Sequence, residues 1–140
     1  MRFLLDTCVL VEMQRPRGNQ HVRDRVSQLH KRQVFISVIS IGELTRGISI
    51  IEDNAERKHR LSVWLSDLQE RYADQILPFD VEVSQLWGEL TAAAALRGHT
   101  VPATDGQIAA TARRYGLYVM TRYERHFQEA GVEIVNPWES

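Results

Sequence analysis

Short apolar runs alternate along this chain with longer stretches in which apolar residues recur every three or four positions. Short runs bounded by polar residues, Gly or Pro indicate buried strands, whereas the longer period of about 3.6 indicates amphipathic helices. The predicted strands span residues 2–5, 34–38, 76–79, 117–120 and 132–135. The predicted helices lie at 9–13, 20–31, 40–51, 55–72, 83–97 and 104–115, and 121–128 is predicted as a loop with one helical turn.

Apolar strands that alternate with helices predict a parallel sheet with both faces covered. The fold class expected from this order is α/β, with a central, mostly parallel, twisted sheet of about five short strands flanked by helices. A chain of 140 residues can bury one core, so we expect a single domain over residues 1–140. No internal repeat or low-complexity segment interrupts this pattern.

Two helix starts carry a polar capping pattern. Ser40-Ile41-Gly42-Glu43 has the S-x-x-E form of a capping box, in which the serine would cap the helix and the glutamate would lie three residues later. Thr104 is followed three residues later by Gln107, which is the related Thr-x-x-Gln form. Both patterns predict that the helix begins directly after Ser40 or Thr104.

The composition limits the possible classes of protein but does not identify a binding partner. The 17 Lys and Arg residues nearly balance the 18 Asp and Glu residues, so any nucleic-acid site has to be local. The lone cysteine, Cys8, excludes an intramolecular disulfide framework and suits a reducing cytoplasm. No signal peptide and no apolar run of about 18 residues is apparent, which predicts a soluble protein.

Three acidic residues, Asp6, Glu43 and Asp105, fall near predicted strand ends or helix starts. Ligands of open parallel sheets bind beyond the carboxyl ends of the strands, so these side chains are candidates for one cleft. Each also has a purely structural explanation, because an acid at a helix N-terminus complements the helix dipole. Asp6 ends an apolar strand, where burying an unpaired charge is costly, and this favours a functional role.

Converging carboxylates repel one another unless a cation lies between them. Oxygen ligands without a His or Cys cluster favour a hard ion, so the expected cofactor is Mg²⁺, with Mn²⁺ as a possible substitute. Spacing along the sequence leaves open whether the three acids meet.

The chain resembles a known family, the PIN-domain nucleases, and especially the VapC-type ribonuclease toxins of bacterial type II toxin–antitoxin modules. The resemblance spans nearly the whole chain, and its specificity comes from several motifs in a fixed order. These motifs are LLDTCVL at 4–10, SVISIGELTRGI at 37–48, PATDGQIAATA at 102–112, VMTR at 119–122 and VNPW at 135–138.

The resemblance implies a single PIN-like domain with metal-binding acids at Asp6, Glu43 and Asp105, supported through hydrogen bonds by Thr7 and Thr121. It further implies an Mg²⁺-dependent endoribonuclease that leaves a 5′-phosphate. The implied partners are an RNA substrate, a small antitoxin protein that plugs the cleft, and a second copy of the chain in a homodimer.

The chain departs from the family pattern after the Thr121-Arg122 pair. The family usually has Asn or Asp next and an acid a few residues later, whereas this chain continues Tyr123-Glu124-Arg125-His126-Phe127. Glu124 is the candidate for a fourth carboxylate, either direct or through water. His126 is an alternative, and a partly exposed surface histidine is the competing interpretation.

Local basic charge suggests a track for RNA phosphates. Arg122 is the strongest candidate because it adjoins Thr121, and Arg17 and Arg113 represent two further basic clusters. An ordinary solvated helix face explains the first of these clusters equally well. Trp64 and Trp87 lie on apolar helix stripes and are interpreted as packing residues.

Two other functional classes compete with the nuclease hypothesis. Phosphotransfer enzymes and receiver domains also place an Asp after the first strand, but Cys8 stands where dehalogenase-like enzymes need a second Asp, and there is no phosphate-binding G-x-x-x-x-G-K-[ST] loop. The stronger alternative is a PIN-like binding protein with weak or no activity that works through a partner peptide or a nucleic-acid complex. A missing fourth acid would fit that alternative.

Overall fold

The computed structural model describes residues 1–139, and within this part of the chain there are five strands and seven α-helices. The strands are β1 Phe3–Leu5, β2 Val34–Ser37, β3 Ile76–Leu77, β4 Tyr118–Met120 and β5 Ile134–Val135. The helices are α1 Thr7–Gln14, α2 Gln20–Ser27, α3 Val38–Ser49, α4 Ala55–Arg71, α5 Val81–Leu96, α6 Ala103–Tyr115 and α7 Glu124–Glu129. Single 3₁₀ turns precede β2 and β3 at Lys31–Gln33 and Ala73–Gln75.

The five strands form one sheet in the order β3-β2-β1-β4-β5, and every pair of neighbours is parallel. The central strand β1 pairs on both sides, with Phe3 opposite Val34 in β2 and opposite Tyr118 in β4. The predicted α/β class with a parallel sheet of about five short strands is therefore confirmed.

Side chains of β1 alternate between two apolar clusters, as the pleat of a strand requires. Phe3 and Leu5 belong to the cluster formed with α1 to α4, whereas Leu4 belongs to the cluster formed with α6 and α7. All three side chains are buried. Helices thus cover both faces of the sheet, which explains why the strands read as continuous apolar runs.

The predicted start of α3 at Ser40 is wrong. Strand β2 ends at Ser37, and the Ser37 hydroxyl accepts a hydrogen bond of 3.0 Å from the Ile39 N–H, so α3 begins at Val38. The strand therefore leads into the helix without a loop. Ser40 and Glu43 lie inside the helix, where they are free to face a cleft instead of capping the helix end.

The predicted capping role of Thr104 is also wrong, because α6 begins at Ala103 directly after Pro102, and no side chain caps it. Asp105 consequently lies in the first turn of α6. The segment 121–128 is more regular than predicted, since α7 forms a short helix at Glu124–Glu129. The Phe127 side chain anchors this helix and is fully buried.

The order of the strands reverses at β1, because the chain adds β2 and β3 on one side and then returns to add β4 and β5 on the other. Such a point is where parallel sheets leave a crevice for a ligand. The Asp6 N–H donates a hydrogen bond of 2.9 Å to the Met120 carbonyl, which joins the ends of β1 and β4. In residues 1–139, no helix has the length and apolar character needed to cross a membrane.

Candidate active site

Asp6 is the most buried acid in the crevice beyond the ends of β1 and β4, with only 3% of the residue exposed. It caps α1 because its Oδ1 accepts from the Thr7 N–H at 2.9 Å, while its Oδ2 accepts from the Thr121 hydroxyl at 2.8 Å. Burial raises the pKa of Asp6 to about 6; the Thr121 hydrogen bond opposes this rise, and the nearby charge of Asp105 adds to it. The capping and functional interpretations of Asp6 are therefore compatible.

Glu43 is held from across the crevice by a residue of α1. The Thr7 hydroxyl donates to Glu43 Oε1 at 2.7 Å, and its oxygen lies 2.8 Å from the hydroxyl of Ser40, which is one helical turn before Glu43. These contacts connect α1 to α3. They fix the orientation of the Glu43 carboxylate, as expected for a supporting role of Thr7.

Asp105 reaches the same crevice from the first turn of α6. Its Oδ2 lies 2.7 Å from Nδ1 of His126, which belongs to α7. The electrostatic influence of Asp105 on the pKa of Asp6 indicates that the two carboxylates are near one another. The third predicted acid therefore also arrives at the carboxyl edge of the sheet.

A cavity of about 300 Å³ contains all three predicted acids in its lining. Five segments of the chain that are distant in sequence contribute to it: the end of β1 with α1, helices α3 and α6, the turn after β4, and the segment after β5. The lining residues are Asp6, Thr7, Cys8, Val11, Glu12, Arg15, Glu43, Asp105, Arg122, Tyr123 and Trp138.

Thr121 is completely buried and does not line the cavity, but its hydroxyl contacts two residues that do, Asp6 and Tyr123. Its hydroxyl donates to Asp6 and accepts from the Tyr123 N–H at 3.0 Å, so one oxygen links the carboxylate to the turn that follows β4. Thr121 therefore positions Asp6 and the segment carrying Arg122 at the same time.

Arginine side chains occupy two sides of the cavity. The Arg122 guanidinium lies 4.7 Å from the ring centre of Trp138, which orders it through a cation–π contact. Arg15 pairs with Glu12 at 3.1 Å, and Glu12 is itself buried and also accepts from the Asn19 N–H at 2.9 Å. Anionic and cationic groups thus line the same space, which suits a phosphodiester held through a cation.

Besides the buried Thr121, three of the predicted site residues do not line the cavity. The Glu124 carboxylate accepts from the Asn136 side chain at 3.3 Å, and neither residue lines the cavity. Arg17 is exposed in the loop between α1 and α2. Arg113 lines another cavity with Gly131, whose carbonyl it contacts at 3.5 Å, beside the start of β4 and thus at the opposite edge of the sheet.

Sequence reasoning missed the roles of Tyr123 and Glu12, and it named His126 only as an alternative to Glu124. A signal for Glu12 was available, since a charged residue one turn after Val9 falls on the apolar face of α1. The predicted surface interpretation of His126 fails in one respect, because its ring contacts Asp105 even though its side chain is 40% exposed. This contact depends on the packing of α6 against α7, which no local pattern reveals.

Cys8 lines the cavity, and its thiol lies 3.4 Å from Asp6 Oδ2. Burial, followed by the charge of Asp6, raises the pKa of Cys8 to about 12, so the thiol stays protonated near neutral pH. A protonated thiol is a poor nucleophile and a poor metal ligand. Cys8 is therefore a packing residue here.

The donor set of the cavity fits a hydrated hard cation better than a closed metal cage. Within residues 1–139, no group of three or more His, Cys, Asp or Glu side chains is arranged to hold a metal ion. Mg²⁺ usually keeps several waters and binds through one or two carboxylates, whereas structural Zn²⁺ needs four protein ligands. Asp6 and Asp105 suit the first arrangement, with Glu43 oriented by Thr7 as a partner for water.

Comparison with known proteins agrees with this architecture. Residues 3–133 match the PIN domain. The toxin FitB of Neisseria gonorrhoeae is 35% identical over 137 residues, covering 97% of this chain and 98% of FitB. The VapC ribonuclease Y4jK of Sinorhizobium fredii is 30% identical over 137 residues, covering 98% of each protein.

A solved structure gives the same result at the level of the fold. The crystal structure of FitAcB from Neisseria gonorrhoeae superposes with a TM-score of 0.94 at 34% identity and covers 99% of both chains. Together with the match over residues 3–133, this establishes that the chain belongs to the PIN-domain family.

Proposed function

We propose that this protein is a metal-dependent endoribonuclease that acts as the toxin of a toxin–antitoxin pair. The observation that carries the proposal is the single cavity lined by Asp6, Glu43 and Asp105 at the reversal point of the sheet. Support for the toxin role comes from relatives named toxin FitB and VapC ribonuclease, which match this chain over nearly its full length.

Asp6 and Asp105 are proposed to hold Mg²⁺, and Glu43 to bind it or to orient its waters. When bound, such a cation neutralises charge that grows on the phosphoryl oxygens and lowers the pKa of the attacking water. Thr121 keeps Asp6 Oδ2 oriented by its hydrogen bond of 2.8 Å, and Thr7 does the same for Glu43 Oε1 at 2.7 Å. Water would attack the phosphorus and the bond to the 3′-oxygen would break, which leaves a 5′-phosphate on one product and a 3′-hydroxyl on the other.

Arg122 is proposed to bind a phosphate adjacent to the one that is cleaved. Its guanidinium is ordered by Trp138 at the cavity wall and remains on the surface. Phosphate contacts from arginine supply affinity that falls with salt and carries no sequence information. Arg122→Gln is expected to weaken RNA binding. It should also reduce the slope of the logarithm of the binding constant against the logarithm of the NaCl concentration by about one, measured by titration at several NaCl concentrations. An unchanged slope would remove Arg122 from the RNA path.

The remaining partners are proposed on the same basis. A small antitoxin protein would occupy the cleft and neutralise the toxin, and two copies of the chain would form a homodimer. A toxin that cleaves RNA would act in the cytoplasm.

The decisive experiment is cleavage of a mixed pool of structured RNA by the purified full chain. We expect cleavage in Mg²⁺ or Mn²⁺, its loss in EDTA, and 5′-phosphate ends on the products. Asp6→Asn and Asp105→Asn should each lower cleavage by at least about a hundred-fold, because each removes a carboxylate ligand. Full activity in either variant would contradict the assignment of the substituted residue as a metal ligand.

The matched control is Asp67→Asn, which makes the same chemical change on the exposed side of α4, away from the cavity. It should cleave at the wild-type rate and thereby exclude a contaminating nuclease as the source of a difference. No cleavage by clean wild-type protein in either metal would instead favour the binding-protein alternative.

A further inference from the structure

One aromatic side chain at the cavity is unusually exposed and has no role in the chemistry described so far. Tyr123 lines the cavity next to Arg122, yet 48% of its surface is exposed. Its ring is nearly parallel to that of His126, with an interplanar angle of 12° and 5.8 Å between the ring centres. Exposed aromatic rings cost solvation free energy, so this offset pair calls for an explanation.

The two residues that carry these rings are each connected to one carboxylate of the cavity, Tyr123 through its backbone and His126 through its ring. The Tyr123 N–H donates to the Thr121 hydroxyl, which donates to Asp6. On the other side, the Nδ1 of His126 lies 2.7 Å from Asp105. Three polar contacts thus connect the Tyr123 backbone to Asp6 and the His126 ring to Asp105.

The surroundings of the ring pair define what can bind to it. In the proposed function the carboxylates would hold the cleaved phosphate through a cation. Arg122, the residue before Tyr123, faces the cavity with Trp138. A nucleotide whose phosphate occupies this position has the exposed Tyr123 ring within the same cavity lining and can place its base against it. Bases stack readily on aromatic rings because every base has a π face.

We propose that Tyr123, backed by His126, forms a subsite for one unpaired nucleobase beside the cleaved phosphate. The inference rests on the proposed function, since it takes the carboxylates as the phosphate site. A base inside a double helix has both faces stacked on its neighbours, so this subsite selects single-stranded or looped RNA. The contact is stacking and therefore tolerates any of the four bases.

The test uses a single-stranded RNA oligonucleotide of about 12 nucleotides that the wild-type protein cleaves at one mapped bond. Two further strands carry an abasic nucleotide on one side or the other of that bond. Tyr123→Leu removes the ring, and Tyr123→Phe keeps it as the matched control. Cleavage is measured as kcat/KM in Mg²⁺, and binding is measured separately in Ca²⁺, so that a hard cation is present in both measurements.

Wild-type protein should cleave the intact strand about ten-fold better than one of the abasic strands, in line with the usual strength of base stacking. Tyr123→Leu should lose about ten-fold on the intact strand and nothing further on that abasic strand. Tyr123→Phe should behave as wild type. A base-paired duplex of the same sequence should be cleaved poorly by all three proteins.

Equal losses on intact and abasic strands would show that Tyr123 acts only through Thr121 and Asp6, and would overturn the subsite. Undiminished cleavage by Tyr123→Leu would assign the exposed ring to a protein contact and would overturn it as well. If wild-type protein does not cleave at all, the proposed function fails, and the binding comparison then decides. A ten-fold weaker binding of the intact strand by Tyr123→Leu supports the subsite, whereas no such difference, or no RNA binding, refutes it.

Discussion

At the scale of single residues, Asp6 combines deep burial with a position beside a second carboxylate, and both disfavour its charged form. It caps a helix and is almost fully buried, yet it lies beside a second carboxylate, and its pKa is raised to about 6. Thr121 limits this rise by donating a hydrogen bond to the carboxylate. A buried anion held in this way stores unfavourable free energy that a bound cation can release.

This environment predicts an unusual pH dependence for the metal-free protein. The Asp6 carboxyl has a pKa of about 6 in the folded state and about 3.8 when unfolded, so between these values the folded state alone keeps the proton. The free energy of unfolding that is attributable to Asp6 therefore falls by about 2–3 kcal/mol in total as the pH rises from about 4 to 6. Above pH 6 it is constant.

The measurement is urea unfolding in EDTA at pH 4.5 and pH 7 for wild type and Asp6→Asn. The wild-type protein should lose about 1–3 kcal/mol more than the variant between the two pH values, because asparagine does not titrate. Asp67→Asn, whose site is exposed, should follow wild type. Parallel pH profiles for wild type and Asp6→Asn would contradict a raised pKa at this position.

At the scale of elements, the close approach of α5 to α6 determines where Asp105 lies. Gly106 is buried at this contact, and a Cβ there would lie 3.0 Å from both Trp87 Nε1 and Thr91 Cγ2. The absence of a side chain at Gly106 thus lets α6 pack closely enough on α5 to bring its first turn to the cavity. Trp87, predicted as a packing residue, has this role.

Gly106→Ala is therefore expected to destabilise the protein by about 1–3 kcal/mol through overpacking, although alanine has the better helix propensity. It should also lower cleavage because Asp105, the adjacent residue, moves with the helix. Gly88→Ala in α5 is the matched control, since nothing lies within 4 Å of its added Cβ. That variant should be neutral or stabilised by up to about 1 kcal/mol, measured by urea unfolding. An equal gain at Gly106 would refute the packing argument.

At the scale of the whole molecule, the cavity joins segments more than a hundred residues apart. Asp6 follows β1, Thr121 follows β4, and Asp105 precedes β4 on α6. A ligand that bridges these segments binds only the folded state and therefore stabilises it.

Mg²⁺ is accordingly expected to raise the thermal midpoint of wild-type protein. At ten times its Kd the gain is about 1.4 kcal/mol, or about 3–6 °C for a chain of this size. The scan should be made at pH 7.5 with ionic strength held constant by NaCl, so that screening does not contribute. Asp6→Asn should show little or no such shift. An equal shift in both proteins would place the bound Mg²⁺ elsewhere.

Sequence reasoning reached the α/β class, the parallel sheet and most element bounds because these depend on local periodicity and on turn residues. Helix α6 ends at Gly116 in a left-handed conformation, as a terminal glycine predicts. The predicted starts of α3 and α6 were wrong. The sequence has a capping pattern at both places, but α3 follows directly from β2 and α6 follows directly from Pro102, so each helix begins earlier than the pattern predicts. A pattern of four residues cannot report how the preceding strand ends.

The sequence by itself determined that three acids stand near strand ends and helix starts, and that the motifs around them belong to one family. Tertiary structure alone decided which groups join them. It brought Asp6, Glu43 and Asp105 to one cavity, left Glu124 with Asn136, added Tyr123 to the lining and placed His126 in contact with Asp105. The physical reason is that strand order and helix packing, which involve contacts between distant residues, set these distances, whereas periodicity and capping act within a few positions of the chain.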